Sequence, residues 1–244
     1  MKKRTKMTLA VTLAAMTMLL AGCGAARGSA DDGTAAATGT ENAADDSVGT
    51  AAVPAPLDAS QDLLLVVDFQ NVCLPGYAWE CPGMPEAMRN TVKLLRDENA
   101  PDYLLTRYIA PSDPVGRWAQ YNEAYREINE DPFLAELPEE LAPFAAEGKV
   151  VSKSTYSAMK SEEVLTALVG KKAVVLTGVT AECSVLATMM DAIDMGFEVV
   201  YLYDCIARQS AEVDANVRGL AELYAPIHTT VMRSDEYLAA ISAK

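Results

Sequence analysis

Histidine is nearly missing from this chain: its 244 residues include one, His228, so no multi-histidine metal site can form within a single copy. Basic residues are also scarce, with 20 Lys and Arg against 34 Asp and Glu and a formal net charge of −14. Little is left to neutralise phosphates, which excludes nucleic acid as a partner and argues against electrostatic binding to anionic lipid headgroups. The periodic compositions of collagen and coiled coils are absent, as are the repeated long apolar runs of a polytopic membrane protein. The apolar run Met7–Leu20 is too short and wrongly flanked for a stable span.

The residues that are present fall into three parts. Residues 1–22 carry Lys2, Lys3, Arg4 and Lys6, then the short apolar run, then small residues before Cys23. A basic start, an apolar middle and small residues before a cleavage point make a secretory signal. The ending Leu20-Ala21-Gly22-Cys23 resembles the bacterial lipobox, which implies that Cys23 is lipidated and becomes the first residue of an exported, membrane-anchored protein. Residues 23–60 are Ala, Gly, Thr and Asp with almost no large apolar side chain. Such a segment cannot bury enough surface to offset its chain entropy, so a disordered tether is expected. Residues 61–244 hold 15 bases against 28 acids, a net −13, and are long enough for one well-cored domain. Four cysteines fall in that domain: Cys73, Cys81, Cys183 and Cys205. Export permits disulfides, with Cys73 and Cys81 the best-placed local pair, and a set of free or catalytic thiols stays equally open.

Within the domain, strands alternate with helices. Asp62–Asp68 is a nearly continuous apolar run, as a strand buried on both faces requires. Pro85–Asn99 spaces Met88, Val92 and Leu95 as a helix does. Strands follow at Tyr103–Ile109, Lys149–Ser152, Ala173–Val179, Glu198–Asp204 and Ile227–Met232, with helices between them and a last helix from Ser234. Pro111–Pro143 is long, polar and broken by proline, with aromatic residues Trp118, Tyr121, Tyr125 and Phe133. The alternation implies an α/β fold, a parallel sheet covered on both faces. Ligands of such sheets sit beyond the C-terminal strand ends. Asp68, Lys153 and the pair Cys183-Ser184 stand at three of those ends, an acid, an ammonium and a nucleophile able to meet in one pocket.

Three segments carry a family resemblance. LLVVDFQNVCLPG (64–76), KSTYSAM (153–159) and GVTAECSVLATMMDAIDMG (178–196) resemble, in order, the three motifs of the isochorismatase-like, or cysteine hydrolase, superfamily. The resemblance runs from about Leu63 to the C-terminus. It implies a three-layer, doubly wound sheet of six parallel strands in the order 3-2-1-4-5-6. It also implies a hydrolase of a small amide, carbamoyl or related compound, with no cofactor, that self-associates as many members do. The family's trio of Asp, Lys and Cys places Asp68 as general base and Lys153 as its support. Its turn with a cis peptide falls at Val179-Thr180, whose N–H groups would stabilise an oxyanion.

The family's cysteine does not carry over directly. Gly178, Val185, Thr188, Asp191, Ala192 and Gly196 align without a gap and put Ser184 at the cysteine position, with Cys183 one residue earlier. Three readings stay open: Ser184 attacks, Cys183 attacks through a local shift in the turn, or no covalent step occurs, as in true isochorismatases, which cleave a vinyl ether. A fold retained for binding alone is the non-catalytic form of the last. The metal-binding histidines of nicotinamidases have no counterpart in Thr106–Asp113, so no metal is expected. Gln70 and Tyr156 in the motifs are candidates for contacting substrate; Arg107 and Arg117, with Trp118 and Tyr121, lie on the loop expected to border the pocket, where they either receive an acidic or aromatic substrate or form a packed loop or subunit interface.

Overall fold

The computed structural model describes residues 57–243. The leader, Cys23 and the tether up to Pro56 lie outside the described residues. Residues 57–60, assigned above to the tether, are structured: Asp58 caps the short turn Ala59–Gln61 by accepting from the Ser60 N–H, and Leu57 and Ala59 pack on the core.

Six strands form one sheet: β1 (Asp62–Val67), β2 (Asp102–Tyr108), β3 (Val150–Lys153), β4 (Ala173–Gly178), β5 (Glu198–Ile206) and β6 (Thr229–Met232). Their order is β3-β2-β1-β4-β5-β6 and every pairing is parallel, the architecture the alternation and the resemblance imply. β1 is buried at all six positions because it lies in the middle of the sheet with helices above and below. Its side chains alternate between two cores. Leu64 and Val66 join the cluster under helices α1 (Met84–Leu95) and α8 (Ser234–Ser242). Leu63, Leu65 and Val67 join the cluster under α5 (Glu162–Ala167), α6 (Leu186–Asp194) and α7 (Ala211–Leu223).

The helix expected over Pro85–Asn99 ends at Leu95, because Asp97, Glu98 and Asn99 fold into turns closed by Asp97. The long loop carries three short helices, α2 (Arg117–Ala124), α3 (Arg126–Asn129) and α4 (Pro132–Ala135). Among the described residues no helix is long and apolar enough to cross a membrane.

The chain changes direction between β1 and β4. From β1 it winds outward through β2 to the β3 edge, then returns to the other side of β1 as β4. The C-terminal ends of β1 and β4 therefore border the crevice where the two halves diverge, the switch point at which doubly wound sheets bind ligands.

Candidate active site

Gly178 fixes the crevice. It ends β4 opposite Val67 with φ +124°, and a Cβ there would lie 2.0 Å from the Val67 carbonyl oxygen. Only glycine allows that approach, which the Val179 N–H closes by donating to the same oxygen at 2.8 Å. One residue past Val67, Asp68 turns to φ +50°, a region that Asp tolerates better than most side chains.

Asp68 is buried and engaged by both carboxylate oxygens. The Thr106 hydroxyl donates to Oδ1 at 2.7 Å, and the Lys153 ammonium donates to Oδ2 at 2.5 Å. Lys153 stands at the end of β3, so its side chain crosses over β2 to reach the acid, a span of two strand spacings or about 10 Å. Its other donors go to the carbonyls of Thr155 and Tyr156, both at 2.9 Å. The side chains of Lys153 and Asp68 are 2% and 7% exposed, so this is a buried pair with its hydrogen bonds satisfied rather than a surface contact.

After β4 the peptide Val179-Thr180 is cis, and residues Ala181–Val185 form a π-turn, with the Val185 N–H donating to the Thr180 carbonyl at 3.2 Å. A π-turn closes one residue wider than an α-turn, and such bulges recur at functional sites. Here both contested residues reach one cavity of about 190 Å³, which is also lined by Asp68, Val179 and Thr180. Ser184 is 7% exposed, and its carbonyl accepts from the Thr188 hydroxyl at 2.7 Å, which in turn accepts from the Ala158 N–H. Cys183 is half-buried. Burial pushes its thiol pKa up from the ordinary value, and a hydrogen bond with Thr180 opposes part of the rise. Neither residue is among the hydrogen-bond partners of Asp68, which are Thr106 and Lys153. In apo geometry this does not disqualify a base, since such contacts often form only around substrate.

The remaining candidates divide. Tyr156 lines the cavity. Gln70 does too, but its amide is committed to structure: it donates to the carbonyls of Tyr108 and Ala135 and accepts from the Tyr108 N–H at 2.8 Å. Trp118 lies behind the lining, with its ring 4.9 Å from Tyr156 and stacked on Tyr108 at 6.1 Å. Arg107 does not line the cavity; it pairs with Glu136 at 2.9 Å and donates to Ser152. The best-placed local cysteine pair is unbonded: Cys73 and Cys81 are buried free thiols, as is Cys205. A hydrogen bond with Cys81 and then burial raise the Cys73 pKa.

Sequence reasoning placed Tyr121 at the pocket border but missed Thr106 and the other wall residues Trp79, Tyr108 and Tyr125. The signal for Thr106 was its register: Val66 pairs with Leu105, which carries the next residue of β2 alongside the end of β1. The exposed His228 sits before β6 beside Tyr224 and outside the cavity lining. Among the described residues no group of three or more His, Cys, Asp and Glu is placed to hold a metal ion.

The Isochorismatase domain model matches residues 62–232. No curated protein sequence matches the chain significantly. Solved structures do. A cysteine hydrolase from Pseudomonas syringae pv. phaseolicola 1448A is 20% identical with a TM-score of 0.67, covering 78% of this chain and 97% of that one. An N-carbamoylsarcosine amidase from Thermoplasma acidophilum is 20% identical with a TM-score of 0.56, covering 72% and 97%. A pyrazinamidase of Pyrococcus horikoshii in complex with zinc is 23% identical with a TM-score of 0.54, covering 71% and 99%. At these identities the likeness is one of fold.

Proposed function

The chain belongs to the isochorismatase family, and from that premise we propose that it hydrolyses a small amide or carbamoyl compound in the cavity over Asp68. The observation that carries the proposal is the buried Lys153–Asp68–Thr106 chain beside two candidate nucleophiles. Attack by the Ser184 hydroxyl or the Cys183 thiol on the carbonyl forms an acyl-enzyme. Asp68 takes the nucleophile's proton and passes it to the leaving amine as the C–N bond breaks. Water then adds to the acyl carbon, its proton returns through Asp68 to the nucleophile, and the acid is released. Lys153 keeps Asp68 oriented between these steps. The N–H groups of the turn from Val179 to Ser184 are the donors proposed for the oxyanion.

Product release from small amides and carbamoyl compounds, measured for wild type, Asp68→Asn, Ser184→Ala and Cys183→Ala, tests this reading. Loss of turnover in Asp68→Asn and in just one nucleophile variant is the expected result. Wild-type rates in Asp68→Asn would overturn it. A second reading, a binding protein that kept the fold, is favoured by Ser184 standing where the family has its cysteine. It predicts ligand affinity without Asp68-dependent turnover on any of these compounds.

From the N-terminal pattern we propose further that this activity works outside the cytoplasm, on a lipid anchor at Cys23. Radiolabelled palmitate incorporated into the full chain but not into Cys23→Ala is the expected result; equal labelling of both would reject the anchor.

A further inference from the structure

The cavity combines two features that the hydrolase reading leaves unexplained. Its wall is aromatic on most sides, formed by Trp79, Tyr108, Tyr121, Tyr125 and Tyr156. No basic side chain lines it. Lys153 is spent on Asp68 and two carbonyls, and Arg107 faces Glu136 and Ser152, so neither offers its charge to a carboxylate or phosphate inside the cavity. Three of the five ring pairs within the wall stand near right angles, and the other two are tilted by 45° and 56°. Trp79 meets Tyr125 at 86°, and Tyr121 meets both Tyr108 and Tyr156 at 86°, with centroids 5.5–6.4 Å apart. Parallel rings make a slot for a flat ligand, whereas rings set at right angles make the walls of a box. Burial raises the pKa of Tyr108, Tyr121 and Tyr156, so these phenols stay neutral. Electronegative faces on several sides are the means by which proteins hold quaternary and alkylated ammonium groups.

We propose that this box selects the substrate, and that the substrate is a small amide or carbamoyl compound bearing an alkylated ammonium group. The inference rests on the hydrolase reading for the amide half and on the box for the cationic half. In size the ligand is bounded by the cavity: about 190 Å³ is little more than the engineered void of about 150 Å³ that takes up benzene. A trimethylammonium head and one amide fit that limit; an extended chain does not. The domain's acidic balance raises the local concentration of a cation and lowers that of an anion.

A matched pair of compounds tests the proposal. Trimethylammonioacetamide and 3,3-dimethylbutanamide have the same shape and differ in charge. Hydrolysis of the two is compared for wild type, Tyr125→Phe and Tyr125→Leu. Both tryptophans of the chain, Trp79 and Trp118, belong to or back the box, so their emission also reports tetramethylammonium binding, read against sodium chloride at equal ionic strength. The expected result is a preference of roughly tenfold in kcat/KM for the cationic amide, retained in Tyr125→Phe and lost in Tyr125→Leu. Hydrolysis of the neutral isostere at an equal or higher rate overturns the box while leaving the hydrolase standing. Saturable quenching by tetramethylammonium that Tyr125→Leu abolishes, with neither amide cleaved, upholds the box and rejects the hydrolase. Absence of both turnover and quenching overturns the proposal.

Discussion

At the floor of the cavity, Asp68, Thr106 and Lys153 come from three neighbouring strands near their C-terminal ends, with Asp68 bound to the other two at 2.5–2.7 Å; the wall above comes from loops, a short helix and the last residue of β2, and its rings meet at 4.8–6.5 Å. The floor is polar, buried and fixed by the register of the sheet. The wall is largely apolar and partly exposed; ring contacts, each worth about 0.5–1.5 kcal/mol beyond its buried area, hold it together with a few hydrogen bonds, such as that from the Tyr108 hydroxyl to Asn122. Under the proposed function the contrast separates the work of the site: fixed geometry where a proton would move, adaptable contact where a ligand would be chosen. It also implies that damage to the floor costs the fold or the chemistry, while damage to the wall costs affinity.

The largest effect is expected at Gly178. Gly178→Ala puts a methyl on the Val67 carbonyl at an unfavourable φ, and should cost on the order of 4 kcal/mol or more, read as a fall in the urea midpoint. Gly219 is the control. It lies within α7 with nothing within 4 Å of an added Cβ, so Gly219→Ala should stabilise by about 0.5–1 kcal/mol. Next comes the ion pair. Lys153→Met strands a buried carboxylate and should cost about 3–5 kcal/mol, whereas Lys153→Met with Asp68→Asn should recover much of that stability while remaining inactive. Equal stabilities of the single and double variants would show that the floor is not a coupled unit.

The wall should respond differently. Tyr121 contacts Trp79, Tyr108, Trp118, Tyr125 and Tyr156, and Tyr121→Leu should raise KM several-fold with a smaller change in kcat. A fall in kcat with KM unchanged would instead place Tyr121 with the floor. The contested thiol gives a pH test. Burial holds the Cys183 pKa above the ordinary thiol value, so at neutral pH it is protonated. Its alkylation by iodoacetamide should be slow at pH 7 and still rising beyond pH 9. Arg107→Ala should do least, within about 1 kcal/mol in stability and with little change in rate, since it removes only a partly exposed pair with Glu136.

Much of the floor could be read in the chain. Continuous apolar runs identify β1 and β4 because a central parallel strand is buried on both faces, and the residue after such a run is placed at the ligand-binding edge without any knowledge of contacts. Asp68 was found that way, and Lys153 as the residue after the third expected strand. Thr106 was not, because its role depends on which strand lies beside β1, and nothing local to residue 106 records that. Arg107 carries the opposite lesson. An arginine at a strand end near the expected pocket drew attention, yet strand alternation sends its side chain to Glu136 and Ser152. The boundaries of α1 and β5 shifted by a few residues because turns and pairing at element ends, not periodicity, set where each stops.

What the sequence determined alone is the sheet, its order through the resemblance of three motifs, and the acid and lysine at its edge, because hydrophobic period and strand-end position are local or repeated properties. What only the tertiary structure decided is the box. Trp79, Tyr108, Tyr121, Tyr125 and Tyr156 lie on four separate stretches of chain, and Cys183 and Ser184 share one cavity through a widened turn that no spacing rule announces. Such a surface is a product of distant segments closing on each other, so its shape and its neutrality exist only once the chain has folded.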